Sequence, residues 1–223
     1  MTETLSKPSR LPVSAPGREI ATRSLDIVVA SVALVILGPV IAVLACLVRW
    51  TSPGTAFFRQ QRVGRGGRPF TLLKLRTMQA NNDDRIHREY VTSLLSGGQP
   101  AVAQRGGLYK LDNDPRITPL GAWLRRTSLD ELPQLFYVLC GQMSLVGPRP
   151  VLAWEAELFQ ESDRQRFDVK PGITGLWQVS GRNKLSFREQ LALDVEYVRR
   201  RTISLDLQIL LRTVPALLRD SAR

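Results

Sequence analysis

Residues 27–48 read IVVASVALVILGPVIAVLACLV, and how that stretch is read decides the architecture of the 223-residue chain. None of its 22 side chains is charged. A straight helix of that length would measure about 33 Å, enough to cross a hydrocarbon core of about 30 Å. Gly38 and Pro39 lie at its middle, where proline deletes a helix hydrogen bond and forces a kink. Each arm would then reach about 15 Å, too short to span. Arg18 and Arg23 precede the run and Arg49, Arg59 and Arg62 follow it, so positive charge does not select a side. Two readings stand at this point. One is a kinked helix that spans. The other is a helix–break–helix hairpin that dips into one leaflet and returns, keeping both ends in the cytoplasm.

Outward from that run, the first residues carry Pro8, Pro12, Pro16, Ser6, Ser9 and Ser14 with few large apolar side chains. That composition reads as a disordered tail, without the apolar centre of a signal peptide. On the other side, residues 57–58 and 70–75 read as short strands around a turn at Gly64-Arg65-Gly66-Gly67. No GKS or GKT follows the turn, so it is a hairpin turn and not a nucleotide-phosphate loop. Residues 79–107 are polar, with a helix expected near 83–95. Helical patterns follow at 117–126, 132–139, 151–159 and 187–200. A last one at 205–218 gathers Leu205, Ile209, Leu210, Val214, Leu217 and Leu218 near one face. It suits either a core helix or one lying on lipid headgroups. The expected fold class is mainly α with a small β-hairpin (α+β).

Lys and Arg number 31 against 20 Asp and Glu, a net charge of +11. That surplus favours a polyanionic partner: nucleic acid, an anionic membrane surface or a phosphorylated substrate. Nucleic acid is the poorest of these, because the arginines are scattered among Pro- and Gly-fixed turns rather than interleaved with aromatics. Cys46 and Cys140 have no metal-ligand spacing and suggest no disulfide framework. The single histidine, His87, falls in a polar stretch, which argues against a His-based triad or zinc site.

The densest candidate for chemistry is Ser128-Leu129-Asp130-Glu131-Leu132-Pro133-Gln134. Ser128 and Glu131 have capping-box spacing, while Pro133 argues for Asp130 as the cap. Either way two adjacent carboxylates sit at a helix N-terminus, which favours their ionised form. An ionised carboxylate is a usable nucleophile for phosphorus. From these residues alone, a plain cap and a reacting pair both stand. Attack on a pyrophosphate needs cations to offset like charge. Arg116, Arg125, Arg126 and Arg149 lie near in sequence, and Lys74 and Arg76 follow the apolar segment. A divalent metal could bridge the diphosphate and a carboxylate.

The motifs, taken in order, resemble those of the bacterial sugar transferases, the monotopic polyprenyl-phosphate phosphoglycosyl transferases. They are Arg23-Ser24-Leu25-Asp26, LKLRTM at 73–78, DPRIT at 114–118, LRRTSLDELPQ at 124–134, MSLVGPRP at 143–150, PGITGLWQVSGR at 171–182 and LDVEYV at 193–198. The resemblance runs from about Arg23 to the C-terminus. It implies a disordered tail at 1–22, a re-entrant hairpin at 23–50 with Arg23, Asp26, Gly38 and Pro39 as its marks, and a compact cytoplasmic catalytic domain with interfacial helices at 51–223. It implies that Asp130 attacks the β-phosphate of a UDP-sugar, expels UMP and passes the sugar phosphate to undecaprenyl phosphate. Glu131 would act as base or as metal and proton partner, with Mg²⁺ at Asp130. Lys74, Arg76, Arg116, Arg125, Arg126, Arg149, Gln178 and Asp194 would bind substrate or phosphate. Membrane lipids are implied as partners, a homodimer through the soluble part is expected, and the location would be the cytoplasmic face of the inner membrane. The product would begin exopolysaccharide, O-antigen, capsule or glycoprotein glycan assembly. The chain departs from the family at Gly38, where Ser is common, at Gln142, where an acid is usual, and at Tyr137, where Asn is usual.

Overall fold

The computed structural model describes residues 16–79, 88, 92, 116–181 and 185–221. The expected helix near 83–95, His87, and most of the tail and of the 79–107 loop lie outside the described residues. Helix α1 spans Pro16–Thr51, 36 residues and about 54 Å. It begins inside the stretch expected to be tail. Pro16 opens it at a position where its missing N–H costs nothing, and Glu19 faces the positive helix end in the first turn. The expected break at Gly38-Pro39 does not interrupt the helix. One proline removes one ladder bond, and the flanking turns, each apolar and long, carry the helix through it.

A hairpin follows. Strands β1 (Phe57–Val63) and β2 (Pro69–Leu75) pair antiparallel, from Phe57 against Leu75 to Val63 against Pro69. The turn works because Gly66 and Gly67 take φ of 68° and 74°, a left-handed conformation that suits glycine. Helix α2 (Pro119–Thr127) is capped by Thr118, whose Oγ1 accepts from the Gly121 N–H at 3.0 Å. A 3₁₀ turn, Leu129–Gln134, leads directly into α3 (Leu135–Leu139). Strands β3 (Ser144–Val146) and β4 (Gly172–Thr174) form a two-stranded parallel pair. Between them lie α4 (Ala153–Glu157) and a 3₁₀ segment, Glu161–Asp168. Helices α5 (Leu176–Ser180), α6 (Phe187–Arg200) and α7 (Ile203–Ser221) complete the chain.

The main core joins Phe70 and Leu72 of β2, Leu135 and Val138 of α3, β3, Tyr197 and Val198 of α6, and Ile209 of α7. Ala30 of α1 is part of it, with Leu34 and Leu37 packed alongside. Beyond Pro39, Leu44 and Val48 join Leu75 and Leu124 in a second cluster. Helix α1 therefore touches the body on both sides of its proline. Its other face presents Val28, Val32, Val35, Ile36 and Val43, all exposed, with Trp50 at 86% exposure near its end. Among the described residues it is the one helix long and apolar enough to cross a membrane.

Two sets of polar contacts, one part-buried and one buried, fasten α1 to the elements beneath it. Arg23 donates from both terminal nitrogens to the carbonyls of Val138 and Leu139, at the C-terminal end of α3. The Val138 carbonyl also accepts from the Gly141 N–H at 3.0 Å, and a cation at this negative end of the helix is well placed. Asp26 accepts from Ser144 Oγ at 3.0 Å and from the Leu145 N–H at 2.8 Å, on β3. One arm of the apolar helix is thereby tied to the two elements that flank the Asp130–Glu131 turn and the Arg149 loop.

Candidate functional site

Four segments bring charge together. Strand β2 supplies Lys74, α2 supplies Arg125, the 3₁₀ turn supplies Asp130 and Glu131, and the loop leaving β3 supplies Arg149. The turn is not the capping box its spacing suggested. Ser128 takes a left-handed φ of 57° and makes no side-chain cap bond, and Asp130 and Glu131 fall within the turn. A proline at position 133 cannot donate to the ladder, so the backbone tightens into 3₁₀ geometry before α3 starts.

The two carboxylates have opposite fates. Glu131 Oε1 accepts from Arg149 Nη2 at 2.8 Å and from Lys74 Nζ at 3.2 Å, and Oε2 lies 3.5 Å from Arg149 Nη1. Burial would raise its pKa, but the charges of Arg149 and Lys74 outweigh burial and hold it far below the usual carboxylate range. Asp130 is 8% exposed. Among the described residues its carboxylate has no hydrogen-bond partner. Burial first, then the charge of Glu131, push its pKa up to about 6, against the pull of Lys74, Arg125 and Arg149. Lys74 is lowered by burial and by Arg149, with Glu131 opposing. Adjacent carboxylates split this widely are a mark of divided acid–base or nucleophilic roles.

The donor set also fits a divalent cation of one kind. No group of three metal-ligating His, Cys, Asp or Glu side chains gathers among the described residues. Asp130 has lone pairs to spare, whereas Glu131 is spent on its two cations. One protein carboxylate completed by phosphate oxygens and water is a set that Mg²⁺ accepts.

Other expected site residues sort differently. Arg125 faces the site: its Nε donates to Thr77 Oγ1 at 2.9 Å, and its charge acts on Asp130. Arg126, its neighbour on α2, is exposed. Arg76 is buried and serves the chain after α1, donating to the Pro53 and Ser52 carbonyls and to Ser52 Oγ, each at 2.8 Å. It staples a turn rather than reaching the carboxylates, because residues 74 and 76, although on one face of a β-strand, straddle its end at Leu75. Asp194 is interior and pairs with Arg166 at 2.6 Å instead of facing a ligand. Gln178 donates to the Ile173 carbonyl at 3.1 Å, within the β4–α5 turn. Arg116 sits where its carbonyl accepts from the Gln79 N–H at 2.9 Å. Asp114, Pro115, Arg182 and Asn183 lie outside the described residues.

Sequence reasoning missed Arg62, Glu155 and Arg166, which surround the Arg149 loop. It also missed Tyr197, whose hydroxyl donates to Asp206 Oδ1 at 2.7 Å and lies 3.2 Å from the Val146 carbonyl. The available signal was position: Arg166 and Phe167 just before Val169-Lys170-Pro171-Gly172, in a segment otherwise rich in surface charge.

A family profile described as bacterial sugar transferase matches residues 17–220. The chain is 40% identical over 197 residues to the exopolysaccharide production protein ExoY of Rhizobium meliloti, covering 88% of this chain and 85% of that one. It is 42% identical over 197 residues to an undecaprenyl-phosphate galactose phosphotransferase of Salmonella typhimurium, covering 88% of this chain and 40% of the relative. It is 38% identical over 215 residues to a UDP-glucose:undecaprenyl-phosphate glucose-1-phosphate transferase of Caulobacter vibrioides, covering 93% of this chain and 73% of that one. The chain thus spans most of some relatives and about two fifths of others.

Proposed function

The chain belongs to the bacterial sugar transferase family, and from that premise we propose that it moves a sugar 1-phosphate from a UDP-sugar to undecaprenyl phosphate and releases UMP. The observation that carries the reading is the buried carboxylate of Asp130, unpartnered among the described residues, beside a Glu131 already neutralised by Lys74 and Arg149. Near neutral pH Asp130 is ionised and, among the described residues, has no hydrogen bond to break before it reacts.

One Asp130 oxygen attacks the sugar-bearing phosphorus of the UDP-sugar. The bond from that phosphorus to the bridging oxygen breaks, and UMP leaves with the electron pair. The aspartyl phosphosugar is then attacked at the same phosphorus by an oxygen of undecaprenyl phosphate. The Asp130–phosphorus bond breaks, the carboxylate is restored, and the product is a sugar linked by diphosphate to the polyprenyl chain. Arg149, Lys74 and Arg125 offset phosphate charge during both displacements. Glu131, ionised throughout the working range, is a poor base, and its part is to aim Lys74 and Arg149. Mg²⁺ held at Asp130 would screen the diphosphate and favour departure of UMP.

The membrane reading follows from the packing of α1. Both of its arms lie on one body, at Ala30 and at Leu44 and Val48, which favours a helix that enters one leaflet and stays on the side of that body. Exposed Val35 and Ile36 would meet lipid, and Leu207, Leu211 and Val214 of α7 would lie at the same interface. The body would face the cytoplasm, where nucleotide sugars are made, and its product would begin assembly of a surface polysaccharide.

Two measurements test these readings. Purified protein in lipid discs, given Mg²⁺, undecaprenyl phosphate and a panel of UDP-sugars, should release UMP from at least one of them. No release from any would end the transferase reading. A single cysteine introduced near residue 10 should be labelled only from the cytoplasmic side, and labelling from outside would restore a spanning helix.

A further inference from the structure

The Pro148-Arg149-Pro150 loop is unusual in how it is held. Prolines on both sides of Arg149 leave few backbone N–H groups, so the loop must be gripped through its carbonyls. Three consecutive carbonyls are each taken by a different element. The Gly172 N–H donates to Pro148 O at 2.9 Å. A guanidinium nitrogen of Arg166, Nη2, donates to Arg149 O at 2.7 Å. Arg62 Nη1 donates to Pro150 O at 3.2 Å. Arg166 is anchored by a buried acid, whereas Arg62 donates from Nη2 to Gln60 Oε1 at 2.6 Å and has a buried acid nearby. Arg166 Nη2 lies 2.6 Å from Asp194 Oδ2, with 2% and 3% of the two side chains exposed. Arg62 Nη1 lies 3.9 Å from Glu155 Oε2, with 13% and 1% exposed. Phe159 and Phe167 hold the Arg166 guanidinium at 5.2 and 5.7 Å from their ring centres.

Satisfying a carbonyl does not need a guanidinium; any backbone or amide donor would serve. Burying a charged pair costs desolvation, and replacing such a pair with apolar side chains is often neutral for stability. What a planar guanidinium paired with an acid supplies is a fixed position for the oxygen it binds. We propose that Arg166–Asp194 and Arg62–Glu155 are positioning residues, two ionic struts that fix the Pro148-Arg149-Pro150 backbone so that the Arg149 guanidinium stays on Glu131. The struts approach adjacent carbonyls from different parts of the chain: Arg62 from β1, Arg166 from the 3₁₀ segment. Together they stop the loop from pivoting about either proline. The catalytic consequence rests on the transferase reading, whereas the geometric consequence does not.

The experiment uses the full chain in lipid discs and two readouts. The first is carbodiimide labelling of Asp130 and Glu131, followed by mass spectrometry across pH. In the wild-type protein Glu131 should resist labelling, because Arg149 and Lys74 occupy its carboxylate oxygens. Arg149→Ala should expose Glu131 to the reagent and serves as the reference. The double variant Arg166→Met/Asp194→Leu removes one strut without stranding a charge, and Arg62→Lys weakens the other should the first fold poorly. Each should keep a cooperative thermal transition and yet make Glu131 labelled as in Arg149→Ala.

The second readout is turnover. Each strut variant should lower kcat by up to about 100-fold, the scale of a misplacement of about 1 Å, with KM for the UDP-sugar changed less. On an Arg149→Ala background the same changes should add less than about twofold, since the group they position is gone. Folded strut variants whose Glu131 stays unlabelled would overturn the proposal, and so would losses that multiply with Arg149→Ala. If the wild-type protein has no turnover at all, the transferase reading fails and the labelling still decides the struts.

Discussion

Two buried aspartates make the most instructive comparison in this molecule. Burial pushes both Asp130 and Asp194 up to about 6, in each case against nearby arginine charge. Asp194 has a guanidinium at 2.6 Å and is closed off inside the body. Asp130 has cations near it but, among the described residues, none bonded to it, and Glu131 takes Lys74 and Arg149 for itself. A displaced pKa alone therefore does not separate a reacting carboxylate from a structural one. The separating feature is whether the partner's bonds are already spent.

The largest expected effect breaks the comparison at Asp130. Asp130→Asn should lower UMP release by about 10⁴-fold or more, the scale seen when a nucleophile is removed. Full activity in that variant would exclude Asp130 as the attacking group. The same change should make the protein more stable at neutral pH. A carboxyl whose folded pKa is raised contributes stability below its ordinary value of 3.8, and that contribution is lost as pH rises through about 6. A neutral amide avoids the loss, so denaturant unfolding at pH 7 should show a gain of about 1–3 kcal/mol.

Asp194 should behave in the opposite way. A protonated Asp194 can still accept from Arg166 and fill its space, but alanine does neither. Asp194→Ala should therefore cost about 3 kcal/mol or more in denaturant unfolding, because it leaves the Arg166 guanidinium buried without its acid. If Asp194→Ala proved as stable as wild type, the contrast between a spent and an unspent carboxylate would lose its physical basis.

The same distinction explains how much was legible beforehand. The hairpin was readable because Gly66 and Gly67 punctuate it, and residues 187–200 because their apolar spacing is strongly helical. Strands β3 and β4 were not readable, since three residues are too few to show alternation. The Asp–Glu pair stood out as a local motif, but its capping-box spacing misled, because a left-handed Ser128 redirects the backbone. Arg76 and Asp194 were placed with the phosphate binders because sequence records a charge and not its depth. Only tertiary packing shows that Arg76 grips the turn after α1 and that Asp194 faces Arg166. The apolar run was legible as a membrane element, yet its attachment through Arg23 and Asp26 depends on carbonyls and amides more than 100 residues away along the chain.

The smallest expected effect sharpens the comparison within the pair itself. The acidic limb of kcat/KM should fall as Asp130 gains its proton, about tenfold per pH unit below about 6. Glu131 contributes to that position in two ways. Its own charge raises Asp130, and it occupies Lys74 and Arg149, whose charges lower Asp130. Glu131→Gln removes the like charge and loosens both cations. The limb should therefore move to lower pH, by about one unit if the removed repulsion is of ordinary size for neighbouring carboxylates. The plateau rate should fall as well, because the cations are no longer aimed. A limb that stays in place would mean that Glu131 does not set the charge state of Asp130. A limb that moves to higher pH would mean that Lys74 and Arg149 leave the site once Glu131 no longer holds them, and that their hold on Asp130 outweighs the repulsion it escapes.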